Sequence, residues 1–136
     1  MRETIRPRDS LPVLEAIALA EKVDLEAIEV VPSIQAWCEI HGIDESHSSR
    51  MGKTVRNLST LKARILLAEE ITPQMQSNVC VVLDSRGFGD RTEELEDSAR
   101  FLLHLFLHEL GHARDDSASE QDCDTWAFLR LATYAA

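Results

Sequence analysis

Length, composition and charge limit what this protein can be. Its 136 residues, 44% of them hydrophobic, suffice for one globular domain with a core and are too few for two. A formal net charge of −10 argues against binding a nucleic-acid backbone over a broad surface, and no apolar run approaches the ~20 residues that cross a bilayer.

The N-terminal third of the chain predicts two helices with a short strand between them. Apolar spacing predicts a helix over residues 11–23, with Ser10 as its N-cap. A strand is predicted over residues 27–33, where a run rich in β-branched residues ends at a proline. The spacing in residues 33–42 then predicts a second helix, which ends at Gly42.

The middle of the chain gives weaker signals. Residues 43–53 are polar and predict a loop. The apolar run at 63–71 fits either a buried strand or a short helix, because periodicity does not separate the two at this length. Residues 79–83 predict a strand that is closed by a glycine-containing turn.

The C-terminal part predicts two consecutive helices. One covers residues 92–113, and the next starts near Ser119, the first residue of a capping-box pattern. Helices around a small sheet predict an α+β fold. We expect a single domain over residues 1–136, in which 1–78 supply N-terminal helices and strands and 79–136 form the half that carries the chemistry.

Cysteine usage and the N-terminal sequence indicate the compartment. Cys38, Cys80 and Cys123 are odd in number, lie far apart and form no CxxC pair, which predicts buried, reduced thiols rather than disulfides. The first ten residues have no hydrophobic segment behind their basic residues, unlike a secretory signal. We therefore expect a cytoplasmic protein with no membrane partner.

The motif HELGH at residues 108–112 is the strongest functional signal. On a helix, His108 and His112 lie one above the other, so both imidazoles can reach one ion. Zinc accepts two imidazole nitrogens and leaves positions for a third ligand and a water. Glu109 lies about 100° round the helix, where it can take a proton from the zinc-bound water without being a ligand.

Acidic residues after the motif can supply the third ligand. Asp115 and Asp116 follow too closely to fold back over the metal. On a second helix that packs back on the first, Glu120 and Asp124 share one face, being four residues apart. Glu120 is then the expected ligand, and Asp124 accepts the spare ring N–H of a ligand histidine, which fixes its orientation.

HELGH followed by EQDCDTWA resembles the gluzincin type of zinc metallopeptidase, in which a second helix carries ExxxD. The short chain and the ExxxD-x-W-A pattern most resemble the ImmA/IrrE-like and minigluzincin branches. The resemblance covers residues 79–131 and implies a zincin-like fold and one zinc ion per chain. It also implies that Glu120 is a zinc ligand and that Asp124 is a partner of a ligand histidine.

Two features depart from the family pattern, and a third histidine needs an explanation. Only seven residues separate His112 from Glu120. Cys123 stands where the family often has a smaller residue, so a thiolate close to the metal is a possibility that the sequence leaves open. His104 lies one turn before the motif. The outer two of three histidines along one helix are about 12 Å apart, so we expect His104 beside the site or in the core.

These residues predict a zinc-dependent metallopeptidase that acts on a peptide or protein, and the family adds the expectation of a regulatory protein as substrate. The alternative is a non-catalytic zinc module for regulation or protein interaction, and a third possibility is an acidic helical binding protein without metal. In the zincin pattern the substrate lies along a sheet edge, for which Val79, Val81 and Leu83 are the candidates. Residues that could stabilise an oxyanion, left unranked, are Tyr134, Arg114, Arg130, His41 and His47.

Overall fold

A computed structural model describes residues 3–43 and 51–135 of the chain. The five α-helices of this part are α1 (Leu11–Ala20), α2 (Ile34–His41), α3 (Pro73–Leu83), α4 (Ser98–Arg114) and α5 (Glu120–Tyr134). The three strands are β1 (Leu25–Val31), β2 (Gly52–Arg56) and β3 (Ala63–Ala68). This mixture of helices and a small sheet confirms the predicted α+β class.

The sheet has the order β1-β3-β2, with β1 parallel and β2 antiparallel to the central strand β3. Side chains of β3 are buried on both faces of the sheet. Ile65 and Leu67 join the main core with α1, α4 and α5, whereas Leu66 packs with Ile34 and Cys38 of α2. Of the apolar run at 63–71 that periodicity left ambiguous, residues 63–68 are a strand, and burial on both faces accounts for their continuous apolar sequence.

Several predicted elements are confirmed, with shifted ends. Ser33 caps α2 through a side-chain bond from the Ala36 N–H, and Gly42 ends that helix with a φ of +66°. The loop predicted over 43–53 ends earlier than expected, because β2 begins at Gly52, and residues 44–50 lie outside the described part. Sequence reasoning had not predicted β2 as a strand.

The strand predicted over residues 79–83 is wrong, since these residues form the C-terminal half of α3. Helix start signals outweigh their β-branched composition. The Thr72 side chain caps the helix by accepting the Met75 N–H, and Pro73 occupies the first turn, where its missing N–H costs nothing. Gln76 and Leu83 are buried while Val81 is 69% exposed, which is a helical pattern rather than an alternating one.

The helix that carries the HELGH motif is shorter than predicted. Residues 89–96 form 3₁₀ turns, and α4 starts only after Asp97, whose side chain accepts the Arg100 N–H as an N-cap. A kinked segment at 84–88, in which Gly87 has a φ of +94°, connects α3 to these turns. No helix within residues 3–43 and 51–135 combines the length and the apolar content needed to cross a membrane.

Candidate metal centre

The helices α4 and α5 pack against each other and bring the two sequence motifs together. The predicted capping box starts α5, because the side chain of Ser119 accepts the Asp122 N–H while Asp122 accepts the Ser119 N–H. Close packing depends on Gly111, where an added Cβ would lie 3.2 Å from the Cys123 sulfur. The short connection after His112 therefore allows α5 to pack back against α4.

Three side chains form a group that can hold a metal ion. The ligand atoms of His108, His112 and Glu120 all lie within 4.8 Å of one another. Glu120 Oε2 is 2.6 Å from His108 Nε2 and 3.2 Å from His112 Nε2. Asp115 and Asp116, which were set aside on the sequence, are not part of the group.

The donor set suits zinc. Two imidazole nitrogens and a carboxylate oxygen at 2.0–2.1 Å from a tetrahedral ion would be about 3.3 Å apart. The His112–Glu120 separation of 3.2 Å meets this requirement. The His108–Glu120 pair, at 2.6 Å, is at hydrogen-bond distance and must open slightly to admit an ion.

Asp124 binds the Nδ1 side of the His108 ring, and Arg86 in turn binds Asp124. Asp124, only 2% exposed, accepts the Nδ1–H of His108 through Oδ1 at 2.7 Å, while its Oδ2 accepts from Arg86 at 2.6 Å. With Nδ1 as donor, Nε2 faces Glu120. Burial would lower the pKa of His108, but the bonds to Asp124 and Glu120 outweigh it and raise that pKa to about 10. Arg86, in the kinked segment after α3, was missed on the sequence.

The acids around the histidines are held ionised. Hydrogen bonds from His108 and then His112 lower the pKa of Glu120. Burial acts to raise the pKa of Asp124, but the bond from His108 leads to a net lowering. Glu120 is thus a negative charge beside both imidazoles, and Asp124 is a second one beside His108, which together favour a divalent cation.

Glu109 lies beside the group and contacts β2 instead. Its side chain is buried, and the hydroxyl of Thr54 lies 2.8 Å both from Glu109 Oε1 and from the Glu109 main-chain oxygen, so it donates its one proton to either. Arg56 donates to the carbonyl of Ala113 at 2.8 Å, near the C-terminus of α4. Two side chains of β2 thus hold this strand along α4, and neither has a local sequence signal.

His104 and Cys123 are buried parts of the site's surroundings. His104 contacts the Phe128 ring, and its Nε2, 3.7 Å from Asp124, has no hydrogen-bond partner within the described residues. Burial lowers the pKa of His104 to about 4, so it is neutral at pH 7 and lies outside the ligand group. Burial, followed by the charge of Glu120, raises the pKa of Cys123 to about 12, which disfavours a thiolate.

The predicted substrate edge is wrong, because Val79, Val81 and Leu83 lie on α3. The strand beside the group of His108, His112 and Glu120 is β2, which lies at an edge of the sheet. A cavity of about 700 Å³ is lined by residues of β2, α3, α4 and α5, among them His108, Glu109, His112 and Glu120.

The four oxyanion candidates that the structure describes do not line this cavity. Tyr134 and Arg130 both donate to Glu21, Arg114 lies over the Trp126 ring, and His41 stacks on Trp37. The remaining candidate, at position 47, is outside the described residues.

Comparisons of the chain with protein-family models, with curated proteins and with solved structures found no match.

Proposed function

We propose that this protein is a zinc-dependent metallopeptidase. The observation that carries the proposal is the position of Glu109, a buried carboxylate that adjoins the His108, His112 and Glu120 group and opens on the same cavity. A metal that only stabilises a fold needs four closed ligands and no carboxylate at the mouth of a cavity.

Each side chain has a defined role in this reaction. His108, His112 and Glu120 would bind the ion, and Asp124 keeps His108 in the tautomer that presents Nε2. A bound zinc ion would polarise a water and the scissile carbonyl. Glu109 accepts the proton of the attacking water and delivers it to the leaving amine, while the Thr54 hydroxyl holds its carboxylate in place.

The edge of β2 offers a binding line for an extended peptide. Hydrogen bonds from Ala68 N–H to the Met51 carbonyl and from Asn57 N–H to the Lys62 carbonyl identify the odd-numbered residues of β2 as the ones bonded to β3. The backbone groups of Thr54 and Arg56 therefore point away from β3, along the edge that borders the cavity. A substrate strand added here would run beside Glu109.

Replacing Glu109 by Gln tests the proposal. The amide cannot accept the proton, so hydrolysis should fall by ~10²–10⁴-fold while zinc and fold are kept. Zinc-loaded wild type, Glu109→Gln and the surface control Glu93→Gln should be incubated with a mixed peptide library, and new termini read by mass spectrometry. Cuts by wild type and Glu93→Gln alone support a peptidase. Equal cutting by all three would point to another protease, and no cutting by any would favour the non-catalytic zinc module.

A further inference from the structure

One buried polar side chain beside the centre has no role in the proposed reaction. His104 lies one turn before His108 on α4 and is only 3% exposed. In the part of the chain that the structure describes, two buried side-chain polar atoms lack a hydrogen-bond partner, and they are His104 Nε2 and Gln76 Oε1. A buried N–H without an acceptor is destabilising, so packing alone does not account for a histidine at position 104.

The unpaired nitrogen of His104 lies close to Asp124. His104 Nε2 is 3.7 Å from Asp124 Oδ1, the same oxygen that accepts the Nδ1–H of His108 at 2.7 Å. The ring of His104 is neutral at pH 7 and carries one N–H, since burial lowers its pKa to about 4. That proton is assigned to Nε2, because a lone pair there would be repelled by the ionised carboxylate. Two imidazole N–H groups therefore approach one carboxylate oxygen.

The neighbouring contacts fix the ring of His104 and the carboxylate of Asp124 relative to each other. The His104 ring packs on Phe128 with 4.4 Å between the ring centroids, and Phe128 follows Asp124 by one turn on α5. The other carboxylate oxygen, Asp124 Oδ2, accepts from Arg86 at 2.6 Å. Oδ1 is therefore the oxygen that both histidines share.

Binding of an ion requires a small rearrangement next to this oxygen. The pair His108 Nε2 and Glu120 Oε2, at 2.6 Å, must open, and Asp124 is bonded to the other side of the same His108 ring. The separation of 3.7 Å between His104 Nε2 and Asp124 Oδ1 exceeds a typical N–H···O distance of ~3.0 Å by only about 0.7 Å.

We propose that His104 is a positioning residue of the metal centre, which donates its Nε2–H to Asp124 Oδ1 when the ion is bound and so holds the carboxylate that orients His108. A hydrogen bond that forms only in the metal-bound state adds to the affinity for the metal. This inference rests on the metal centre of the proposed function and not on hydrolysis.

The test measures zinc affinity by competition with a chelator at about pH 8, where His104 is neutral in the folded and the unfolded chain. His104→Phe keeps an aromatic ring against Phe128 and removes the N–H. This variant should bind zinc roughly tenfold more weakly than wild type, as for other lost outer contacts. Its metal-free form should unfold at a urea concentration no lower than that of wild type, because the unpaired N–H is gone.

Three further variants separate a hydrogen bond from packing. His104→Gln offers an amide N–H₂ in place of Nε2–H and should recover most of the lost affinity. Asp124→Ala removes the acceptor, so adding His104→Phe to it should cause no further loss. His41→Phe makes the same substitution on α2, where His41 stacks on Trp37, and should keep wild-type zinc affinity.

Wild-type affinity in His104→Phe, an equal loss in His104→Gln, or a loss that persists in the Asp124→Ala background would overturn the inference. So would an equal loss in His41→Phe, or a metal-free urea midpoint of His104→Phe that falls together with its zinc affinity.

These outcomes are distinct from those that test hydrolysis. If the affinity pattern is found without Glu109-dependent cutting, the proposed function fails and the role of His104 stands. If cutting occurs without the pattern, only the role of His104 fails. A wild type that binds no zinc would refute both.

Discussion

Replacing Gly111 by Ala tests the packing that brings the two motifs together. A Cβ at this position would lie 3.2 Å from Sγ, 3.4 Å from Cβ and 3.5 Å from Cα of Cys123, which is only 1% exposed. Cys123 lies between Glu120 and Asp124 on α5. Any shift of α5 that relieves the contact therefore moves both acids relative to His108.

Two opposing effects determine how much Gly111→Ala changes the free energy of unfolding. Alanine is about 1 kcal/mol better than glycine inside a helix, whereas an extra methyl in a packed core costs about 1–3 kcal/mol. Gly111→Ala should therefore lower the free energy of unfolding by roughly 0–2 kcal/mol. In a Cys123→Ala background the sulfur is gone and the nearest atom is at an ordinary contact distance, so the same change should stabilise by up to ~1 kcal/mol.

Urea unfolding of the wild type, both single variants and the double variant gives the coupling between the two positions. We expect a coupling energy of ~1–3 kcal/mol, which is in the range found for residues in contact. Zinc affinity, measured by competition with a chelator, should fall in Gly111→Ala and recover in the double variant. If Gly111→Ala has the same effect in both backgrounds, the two helices do not pack through this contact and the reasoning is refuted.

Three further predictions concern single side chains around the centre. Arg86→Met should weaken zinc affinity by up to the ~10–100-fold typical of lost outer contacts, and Arg86→Lys should restore part of it; unchanged affinity in Arg86→Met would remove Arg86 from the site. Thr54→Val should lower kcat on a cleaved peptide with zinc affinity unchanged, and a loss of zinc instead would contradict its role in holding Glu109. Burial lowers the pKa of His104 from 6.5 to about 4 in the folded protein. The unfolded chain therefore binds this proton more readily, and metal-free wild type should lose stability as the pH falls from 6.5 to about 4. The loss relative to His104→Phe should reach about 3 kcal/mol, and parallel pH curves for the two proteins would contradict it.

Sequence reasoning identified the residues that come together in the centre because their placement is local. The HExxH and ExxxD spacings each fix side chains one helical turn apart, and the Ser119 capping box fixes where α5 begins. The same logic explains why Asp124 meets His108, since both lie on packed faces of consecutive helices.

The features that sequence reasoning missed depend on contacts between distant parts of the chain. Thr54 meets Glu109 across 55 positions and Arg86 meets Asp124 across 38, and no local pattern reports either pair. The strand predicted at 79–83 was wrong for a different reason. A helix that starts upstream, at the cap Thr72 and at Pro73, continues through the β-branched run.

Zinc content tests the central claim most directly, because every proposed role depends on an ion held by His108, His112 and Glu120. Protein purified without an affinity tag and supplied with zinc should be measured by inductively coupled plasma mass spectrometry. The account predicts one zinc per chain in the wild type and in Glu109→Gln, and almost none in His112→Ala or Glu120→Ala. A wild type that binds no zinc, or a His112→Ala variant with full zinc, would contradict it.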